Sequence, residues 1–132
     1  PVVVGNSPIA DYAGRWVLIN YWAEWCGPCI EEIPELNALQ AAHSEKLAVL
    51  AVNFDRIEGD ALRELAQRMG IEFQLLEQDP ADALRLSRPS ALPATYLFEP
   101  DGSLAAVLVG PQTAEMLLSR IELLEQSDSP TS

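Results

Sequence analysis

The sequence predicts an α/β fold in which a central mixed β-sheet is flanked by helices. Residues 16–22 form an apolar run typical of a buried parallel strand, and apolar residues at helical spacing follow from Ile30. Residues 47–52 form a second short apolar run of the same kind. A Glu-Pro-Asp-Gly turn at 99–102 joins strands predicted at 95–98 and 104–109, which makes this pair antiparallel and the sheet mixed.

The start of the chain predicts little regular structure before the first strand. Residues 1–14 contain Gly5, Pro8 and Gly14, so we expect an irregular lead-in with a short edge strand at Val2–Val4. After the first strand a helix is predicted from Gly27 to His43. Pro34 falls inside it, removes one backbone hydrogen bond and should kink it.

The stretch between the second and third core strands predicts additional elements. Residues 62–69 carry apolar side chains at i, i+3, i+4 and i+7, which indicates a helix that Gly70 ends. A strand is predicted over Ile71–Leu76. Asp79 and Pro80 then predict the capped start of a short helix that runs through Leu84 toward Ser87.

The last element is a helix that Thr113 can cap, with an apolar stripe of Leu117, Ile121 and Leu124. A chain of 132 residues that is 48% hydrophobic can bury one core and is too short for two. We therefore expect residues 1–126 to form a single domain. The Ser/Pro/Thr-rich residues 127–132 are expected to be a disordered tail.

The only two cysteines, Cys26 and Cys29, are separated by Gly27 and Pro28. They lie at the predicted junction of strand and helix, where unpaired N–H groups and the helix dipole favour a thiolate at Cys26. Cys29, one turn further on, is the buried partner. Pro28 suits a first helical turn, and Gly27 lets another chain approach the sulfur closely. This arrangement predicts thiol-disulfide exchange.

Two other uses of the pair are disfavoured. A structural disulfide closing so short a loop would restrain little of the unfolded chain. A zinc site would need two further ligands, and His43 is the only histidine. We expect neither a metal nor a bound cofactor. His43 falls near the far end of the predicted helix, so we expect a surface or helix-end role for it and no catalytic one.

The segment Trp22–Cys29 resembles the active-site segment of the thioredoxin superfamily. Residues 29–36 resemble the Cys-x-x-Glu-x-Pro-x-Leu continuation of the TlpA/ResA-like thiol-disulfide oxidoreductases, and the likeness runs from about Tyr12 to Gln126. It implies a thioredoxin fold with a helix-plus-strand insertion over residues 62–76. It also implies that Cys26 attacks the substrate disulfide and that Cys29 resolves the mixed disulfide.

The resemblance extends to a loop that would face the cysteines. The superfamily's cis-proline loop is similar to the segment Leu92-Pro93-Ala94-Thr95. The likeness implies a cis Leu92–Pro93 bond, with Pro93 over the sulfurs. It also implies that the backbone of Leu92 is open to an extended substrate segment. Trp25 would supply either an apolar rim for partner docking or a packing contact. Glu24 is expected to be a solvated charge near the site.

The chain departs from thioredoxin where thioredoxin handles protons. Asn20 stands in the place of its buried aspartate, and Ala51 in the place of the lysine beside it. Glu32 lies three residues after Cys29, so the two side chains share a helical face, and TlpA/ResA-like enzymes keep a glutamate at this position. The resemblance therefore implies a proton acceptor at Glu32. The alternative is a surface glutamate on an acidic helix, alongside Glu31 and Glu35.

Composition limits the partners. Eight basic against twenty acidic side chains give a formal net charge of -12, which disfavours nucleic acid and anionic membrane surfaces. No apolar run approaches the roughly 20 residues of a membrane helix, although a leader or anchor could precede Pro1. We expect a monomer that acts on disulfide-bearing proteins and is recharged by an upstream thiol reductant. The resemblance favours a bacterial extracytoplasmic location, with the cytoplasm as the alternative.

The sequence thus predicts a thiol-disulfide oxidoreductase that reduces protein disulfides through Cys26 and Cys29. The Gly-Pro pair between the cysteines resembles that of reducing thioredoxins, which is the basis for this direction. Alternatives are a thiol oxidase or isomerase, a binding module that holds partners in the groove around Pro93, or the redox-sensing part of a larger protein.

Overall fold

The computed structural model describes residues 9–127. A short 3-10 turn, Ala10–Tyr12, precedes five strands and three helices. In chain order the elements are β1 (Trp16–Trp22), α1 (Gly27–Ala42), β2 (Leu47–Asn53), α2 (Gly59–Met69), β3 (Gln74–Leu75), β4 (Ala94–Phe98), β5 (Leu104–Val109) and α3 (Ala114–Ser127). The edge strand predicted at Val2–Val4 lies outside the described residues, as do residues 128–132 of the predicted tail.

The strands form one mixed sheet in the order β3-β2-β1-β4-β5. β1, β2 and β3 are parallel neighbours, whereas β4 pairs antiparallel with both β1 and β5. The register sets Trp22 beside Asn53 and Tyr21 beside Ala94. One edge of the sheet therefore gathers the ends of β1 and β2 and the start of β4.

Both faces of the central strand are covered, as its continuous apolar run predicts. Trp16, Leu18 and Trp22 join a core cluster to which all three helices contribute. Val17, Ile19 and Tyr21 point the other way, as alternation along a strand requires, and belong to a second cluster. All seven residues of β1 are buried.

α1 and α3 lie close to their predicted limits. α1 continues through Pro34 and ends at the C-cap His43, whose backbone N–H donates to the carbonyl of Leu39 at 3.1 Å. Thr113 caps α3 as predicted, because its hydroxyl accepts from the N–H of Met116 at 3.0 Å. Leu117 and Ile121 are fully buried and Leu124 is half-buried. Ser127, assigned to the tail by the sequence, is the last residue of this helix.

The inserted segment contains the predicted helix but a much shorter strand. Gly70 ends α2 in the left-handed conformation, with φ of 81°. The N–H of Ile71 donates to Ala66 of α2, so this amide cannot join a strand ladder. β3 is consequently limited to Gln74 and Leu75, and the prediction of a strand over residues 71–76 was wrong in length.

The helix predicted from Asp79 toward Ser87 is also wrong, because the chain makes a single turn there. The carboxylate of Asp79 accepts from the N–H of Ala81 at 2.9 Å, as a cap does. One helical hydrogen bond follows, from Leu84 N–H to the Pro80 carbonyl. Arg85 then takes a positive φ of 57°, which a continuing right-handed helix does not allow.

Candidate active site

The two cysteines lie where β1 gives way to α1. Cys26 is the N-cap of α1, with an extended backbone, and its Sγ accepts a hydrogen bond from the N–H of Cys29 at 3.2 Å. A side chain in this position meets the unpaired N–H groups of the first turn. The site that would stabilise negative charge on Cys26 is therefore built into the helix start.

Cys26 and Cys29 form a disulfide, with their Cα atoms 5.3 Å apart. Cys26 is 5% exposed and Cys29 1% exposed, so Cys26 is the more accessible of the two residues. Gly27 and Pro28 between them are exposed. A Cβ added to Gly27 would meet no atom within 4 Å, so packing within the chain does not require a glycine there.

The loop before β4 lies at the same sheet edge as the cysteines. The Leu92–Pro93 peptide bond is cis, Pro93 is buried and Leu92 is half-buried. The carbonyl of Pro93 accepts from the N–H of Gly110 at 2.8 Å. Ala94, the first residue of β4, pairs with Tyr21 near the end of β1, the strand that leads to Cys26. The loop before Ala94 therefore lies at the end of the sheet where the cysteines follow β1.

Glu32 is buried one turn beyond Cys29, and the prediction that it shares the inward face of α1 with that cysteine is confirmed. Glu32 is 2% exposed, which excludes the alternative of a surface charge. Its Oε1 accepts from Asn20 Nδ2 at 2.8 Å, and its Oε2 accepts from the backbone N–H of Gln112 at 2.7 Å. Asn20 Nδ2 also donates to the hydroxyl oxygen of Thr95 at 3.2 Å.

Burial raises the pKa of the Glu32 carboxyl above its usual range, while the hydrogen bonds from Gln112 and Asn20 act in the opposite direction and do not cancel it. Asn20 pairs with Ala51 in the register of β1 and β2. The position beside Asn20 therefore holds an alanine and supplies no lysine charge to the Glu32 carboxyl. Glu32 is thus a buried carboxylate held by two donors that do not titrate.

Glu35, which the surface alternative for Glu32 grouped with Glu31, is not a plain surface charge either. Glu35 is half-buried, and its Oε1 accepts from the N–H of Ala114, the first residue of α3, at 2.8 Å. The sequence did not predict Gln112 and Ala114 as hydrogen-bond partners of these glutamates. The two backbone donors lie 80 and 79 residues away in sequence, and a backbone N–H leaves no signal in the residue type.

Trp25 lies at the rim of the site and is 64% exposed. Its Nε1 donates to Asp55 Oδ2 at 2.8 Å, and its ring meets Phe54 edge-on with centroids 6.4 Å apart. Arg88 stacks over Phe54 at 4.1 Å from the ring centroid and donates to the Phe54 carbonyl. The sequence did not predict this arrangement because its members are distant in the chain: Trp25 and Asp55 are 30 residues apart, and Phe54 and Arg88 are 34 residues apart.

Arg88 is held in turn by a partly buried ion pair. Its Nε donates to Asp79 Oδ2 at 2.7 Å, and Tyr21 donates to Asp79 Oδ1 at 2.6 Å. Burial acts to raise the pKa of Asp79, but the hydrogen bonds from Tyr21, Ala81 and Arg88 outweigh it, so the pKa is lowered. Burial and the neighbouring Asp79 raise the pKa of Tyr21.

The structure gives the two remaining candidates no catalytic position. Glu24 is exposed, and His43 lies at the far end of α1. Within residues 9–127 no three His, Cys, Asp or Glu side chains are grouped as metal ligands would be. None of the helices over the same residues is long and apolar enough to cross a membrane.

Comparisons with known proteins agree with this geometry. The sequence model of the AhpC/TSA family matches residues 4–107. The thioredoxin-like protein YneN of Bacillus subtilis (strain 168) is 32% identical over 123 residues, which cover 89% of this chain and 70% of YneN. The thiol-disulfide oxidoreductase ResA of Geobacillus kaustophilus (strain HTA426) is 27% identical over 118 residues, or 89% of this chain and 67% of ResA.

A solved structure supports the same grouping. The crystal structure of a secreted thiol-disulfide isomerase from Corynebacterium glutamicum superposes with a TM-score of 0.68 at 26% identity, covering 84% of this chain and 71% of that one. The family match spans well over half of the chain, and the ResA and Corynebacterium glutamicum proteins are named for thiol-disulfide chemistry, which a Cys26–Cys29 pair can perform. The chain belongs to the AhpC/TSA family, and it is a thiol-disulfide oxidoreductase of the thioredoxin superfamily, similar to the ResA/TlpA-like proteins.

Proposed function

We propose that the chain reduces disulfide bonds in protein substrates, with Cys26 as the attacking thiolate, Cys29 as the resolving thiol and Glu32 as the proton acceptor for Cys29. The observation that carries this proposal is the buried Glu32 carboxylate one turn beyond Cys29 on the same face of α1. Cys29 is the more buried of the two cysteines and must lose its proton to resolve the mixed disulfide, so a base on the same helical face has a use.

The reaction starts from the dithiol form. Cys26 thiolate attacks one sulfur of the substrate disulfide, forming a Cys26–substrate disulfide and releasing the other substrate sulfur as a thiolate that takes up a proton. Cys29 then gives its proton to Glu32 and attacks the Cys26 sulfur. The Cys26–Cys29 disulfide forms, the second substrate thiolate leaves, and two electrons have passed to the substrate.

Glu32 suits this role because its two hydrogen bonds fix the carboxylate without supplying a proton of their own. Asn20 and the Gln112 N–H both donate to it, and burial raises its pKa. A carboxylate with a raised pKa is a better proton acceptor near neutrality. After the disulfide has formed, the proton must return to solvent before the next cycle.

The direction of transfer rests on Gly27 and Pro28, which the chain shares with reducing thioredoxins. Each turnover leaves a Cys26–Cys29 disulfide, so an upstream thiol reductant must restore the dithiol. The similar protein from Corynebacterium glutamicum is described as secreted, which supports an extracytoplasmic location for this chain. We propose that it works there as a monomer without a bound cofactor.

A second candidate is disulfide isomerisation, because the similar Corynebacterium glutamicum protein is a thiol-disulfide isomerase. Isomerisation uses the same Cys26 attack, but the mixed disulfide is resolved by another thiol of the substrate. It therefore needs no Cys29 and no net electron transfer. The dependence of turnover on Cys29 separates the two candidates.

The roles of the cysteines are tested by trapping the intermediate. The reduced Cys29→Ser variant is incubated with a protein that has one accessible disulfide, and adducts are measured by mass spectrometry. We expect a stable mixed disulfide on Cys26, no adduct with Cys26→Ser, and no net reduction by either variant. An adduct through Cys29 in the Cys26→Ser protein would reverse the roles. Full isomerase turnover by Cys29→Ser on a second substrate, a protein with several mispaired disulfides, would favour the second candidate.

A further inference from the structure

The rim of the active site consists of Trp25, Phe54 and Asp55, and the orientation of Trp25 depends on the other two. Trp25 is 64% exposed, so burial does little to fix its ring. Its Nε1 donates to Asp55, and its ring has an edge-on contact with Phe54. Both partners belong to the loop that follows β2. A side chain that fixes this loop therefore also fixes the Trp25 ring.

Arg88 holds Phe54 by both its backbone and its ring. Nη2 of Arg88 donates to the Phe54 carbonyl, and the guanidinium lies 4.1 Å from the centroid of the Phe54 ring. The N–H of Phe54 donates to the Trp22 carbonyl at 2.8 Å, which ties the same residue to the end of β1. An arginine can make both contacts with Phe54 at once, because its guanidinium is planar and carries donors on separate nitrogens.

The position of Arg88 is itself fixed by a nearly buried carboxylate. Its Nε donates to Asp79 Oδ2 at 2.7 Å, and the Asp79 side chain is 6% exposed, whereas the Arg88 side chain is 29% exposed. Asp79 also accepts at 2.6 Å from the hydroxyl of Tyr21, a fully buried residue of β1. The guanidinium is therefore connected through Asp79 to the central strand and through Phe54 to the rim.

The Arg88–Asp79 pair is weak evidence for a purely stabilising role, because desolvation of two charges offsets much of their attraction. An arginine bound through several nitrogens does, however, fix the direction of the groups around it. Here Nε is committed to the anchor and Nη2 to the residue that contacts Trp25. The arrangement is thus suited to hold the rim in one orientation.

We propose that Arg88 is a positioning residue for substrate binding, because it holds Phe54, and with it the ring of Trp25, in the orientation that a substrate contacts. Without Arg88 the rim adopts this orientation for only part of the time, and the apparent affinity for substrate falls in proportion to that fraction. Cys29 and Glu32 lie on α1, outside this series of contacts, so the resolving step keeps its rate. The inference rests on the proposed function and adds a residue that sets substrate affinity.

The first test is the division between KM and kcat in Arg88→Lys. A lysine keeps the charge opposite Asp79, but it has a single nitrogen and no flat group for the Phe54 ring. For a protein with one accessible disulfide we expect a KM about threefold to tenfold higher, as for a rim correctly oriented about a third to a tenth of the time. An unchanged kcat should accompany it, which is the pattern of lost binding rather than lost chemistry.

Arg63→Lys is the matched control, because it makes the same exchange at an ion-paired arginine of α2 whose side chain is 53% exposed. It should keep the wild-type KM. Phe54→Leu removes the ring while leaving the Arg88–Asp79 pair in place, so it should raise KM as Arg88→Lys does. A wild-type KM in Arg88→Lys, or an equal rise in Arg63→Lys, would overturn the inference.

The second test follows Trp25 itself and needs no turnover. The sequence has three tryptophans, so the ¹⁵N-labelled protein gives three indole N–H signals, and Trp25→Phe identifies one of them. In Arg88→Lys the Trp25 signal should move and its order parameter should fall, because the ring gains motion on the ps–ns timescale. The buried Trp16 and Trp22 should keep their signals. An unchanged Trp25 signal in the folded variant would overturn the inference even if KM rose.

A double-substitution cycle separates positioning from direct contact with the substrate. If Arg88 acts through Trp25, Arg88→Lys should raise KM in the wild-type background and leave it unchanged in the Trp25→Ala background. Equal rises in both backgrounds would show that Arg88 contacts the substrate itself, which would overturn the positioning role. Failure of the wild type to reduce any disulfide would instead overturn the proposed function, and the Trp25 signal would still decide whether Arg88 orients the rim.

Discussion

Replacement of Glu32 by glutamine removes the proposed proton acceptor while leaving its surroundings satisfied. The glutamine oxygen can accept from the Gln112 N–H in place of Oε2. Asn20 can turn its amide so that its oxygen accepts from the new NH₂ group and from the Thr95 hydroxyl. We therefore expect Glu32→Gln to fold normally, so that a kinetic defect reports on proton transfer.

The resolving step should be about 10²-fold slower in Glu32→Gln near pH 7, the lower end of what a positioned base contributes. The difference should be largest above the raised pKa of Glu32, because below it Glu32 is already protonated in the wild type. The ratio of the wild-type rate to the Glu32→Gln rate should thus rise as pH rises through that pKa.

The same substitution has a thermodynamic consequence. The folded-state pKa of Glu32 is raised, so its protonated form is favoured by folding, and this stability is present below about pH 4.3 and lost as pH rises through the folded-state value. Each pH unit between the two pKa values corresponds to about 1.4 kcal/mol. Wild type should therefore lose stability relative to Glu32→Gln as pH rises through this window, as measured by urea unfolding.

The kinetic effect is measured by stopped-flow release of the reduced product from about pH 5 to about pH 9. The reference pKa values of a cysteine and a carboxyl lie inside or near that range. Glu31→Gln is the control, because Glu31 is exposed on the same helix. Glu35→Gln is unsuitable, since Glu35 accepts from the first N–H of α3. Superimposable pH profiles for wild type and Glu32→Gln would refute the role of Glu32.

Three further substitutions test the supports of the site. Thr113→Ala removes the acceptor that caps α3 and should cost about 1 kcal/mol of stability in urea unfolding, with Thr113→Ser near wild type. Asp79→Asn should cost about 1–3 kcal/mol, because Arg88 loses its charge partner. The lowered pKa of Asp79 gives stability above about pH 3.9 that the wild type loses as pH falls through the folded-state pKa, and the variant should lack this loss. Trp25→Phe removes the hydrogen bond to Asp55 at an exposed position, so stability should change by less than about 0.5 kcal/mol while KM for protein substrates rises.

Each of these three predictions has a result that would contradict it. Equal unfolding of Thr113→Ala and Thr113→Ser would show that the cap contributes nothing. An acid-induced loss of stability that persists unchanged in Asp79→Asn would assign it to another carboxylate. A large loss of stability in Trp25→Phe with an unchanged KM would make Trp25 a packing residue, the alternative that the sequence left open.

The elements that position the cysteines could be predicted because their signals are local. The apolar run of β1, the Gly70 stop of α2 and the Thr113 cap of α3 each depend on neighbouring residues. The face shared by Cys29 and Glu32 follows from helical spacing alone. The burial of Glu32 confirms that interpretation over the surface alternative.

The errors arose where a distant contact decides the local structure. Asp79 caps Ala81 as its type suggests, but the same carboxylate is bound by Tyr21 and Arg88, and the chain turns back at Arg85 with a positive φ. Glu35 has the sequence context of a surface charge and is half-buried because α3 begins beside it. Neither contact leaves a pattern in the neighbouring sequence.

The most direct test of the proposed reducing function is the reduction potential of the Cys26–Cys29 couple, equilibrated against dithiothreitol or glutathione. If the chain reduces protein disulfides, the potential of this couple should be close to that of thioredoxin, about -270 mV, and clearly below that of protein disulfide isomerase, about -180 mV. A value near the about -120 mV of a strong oxidant would contradict the proposed direction of electron transfer.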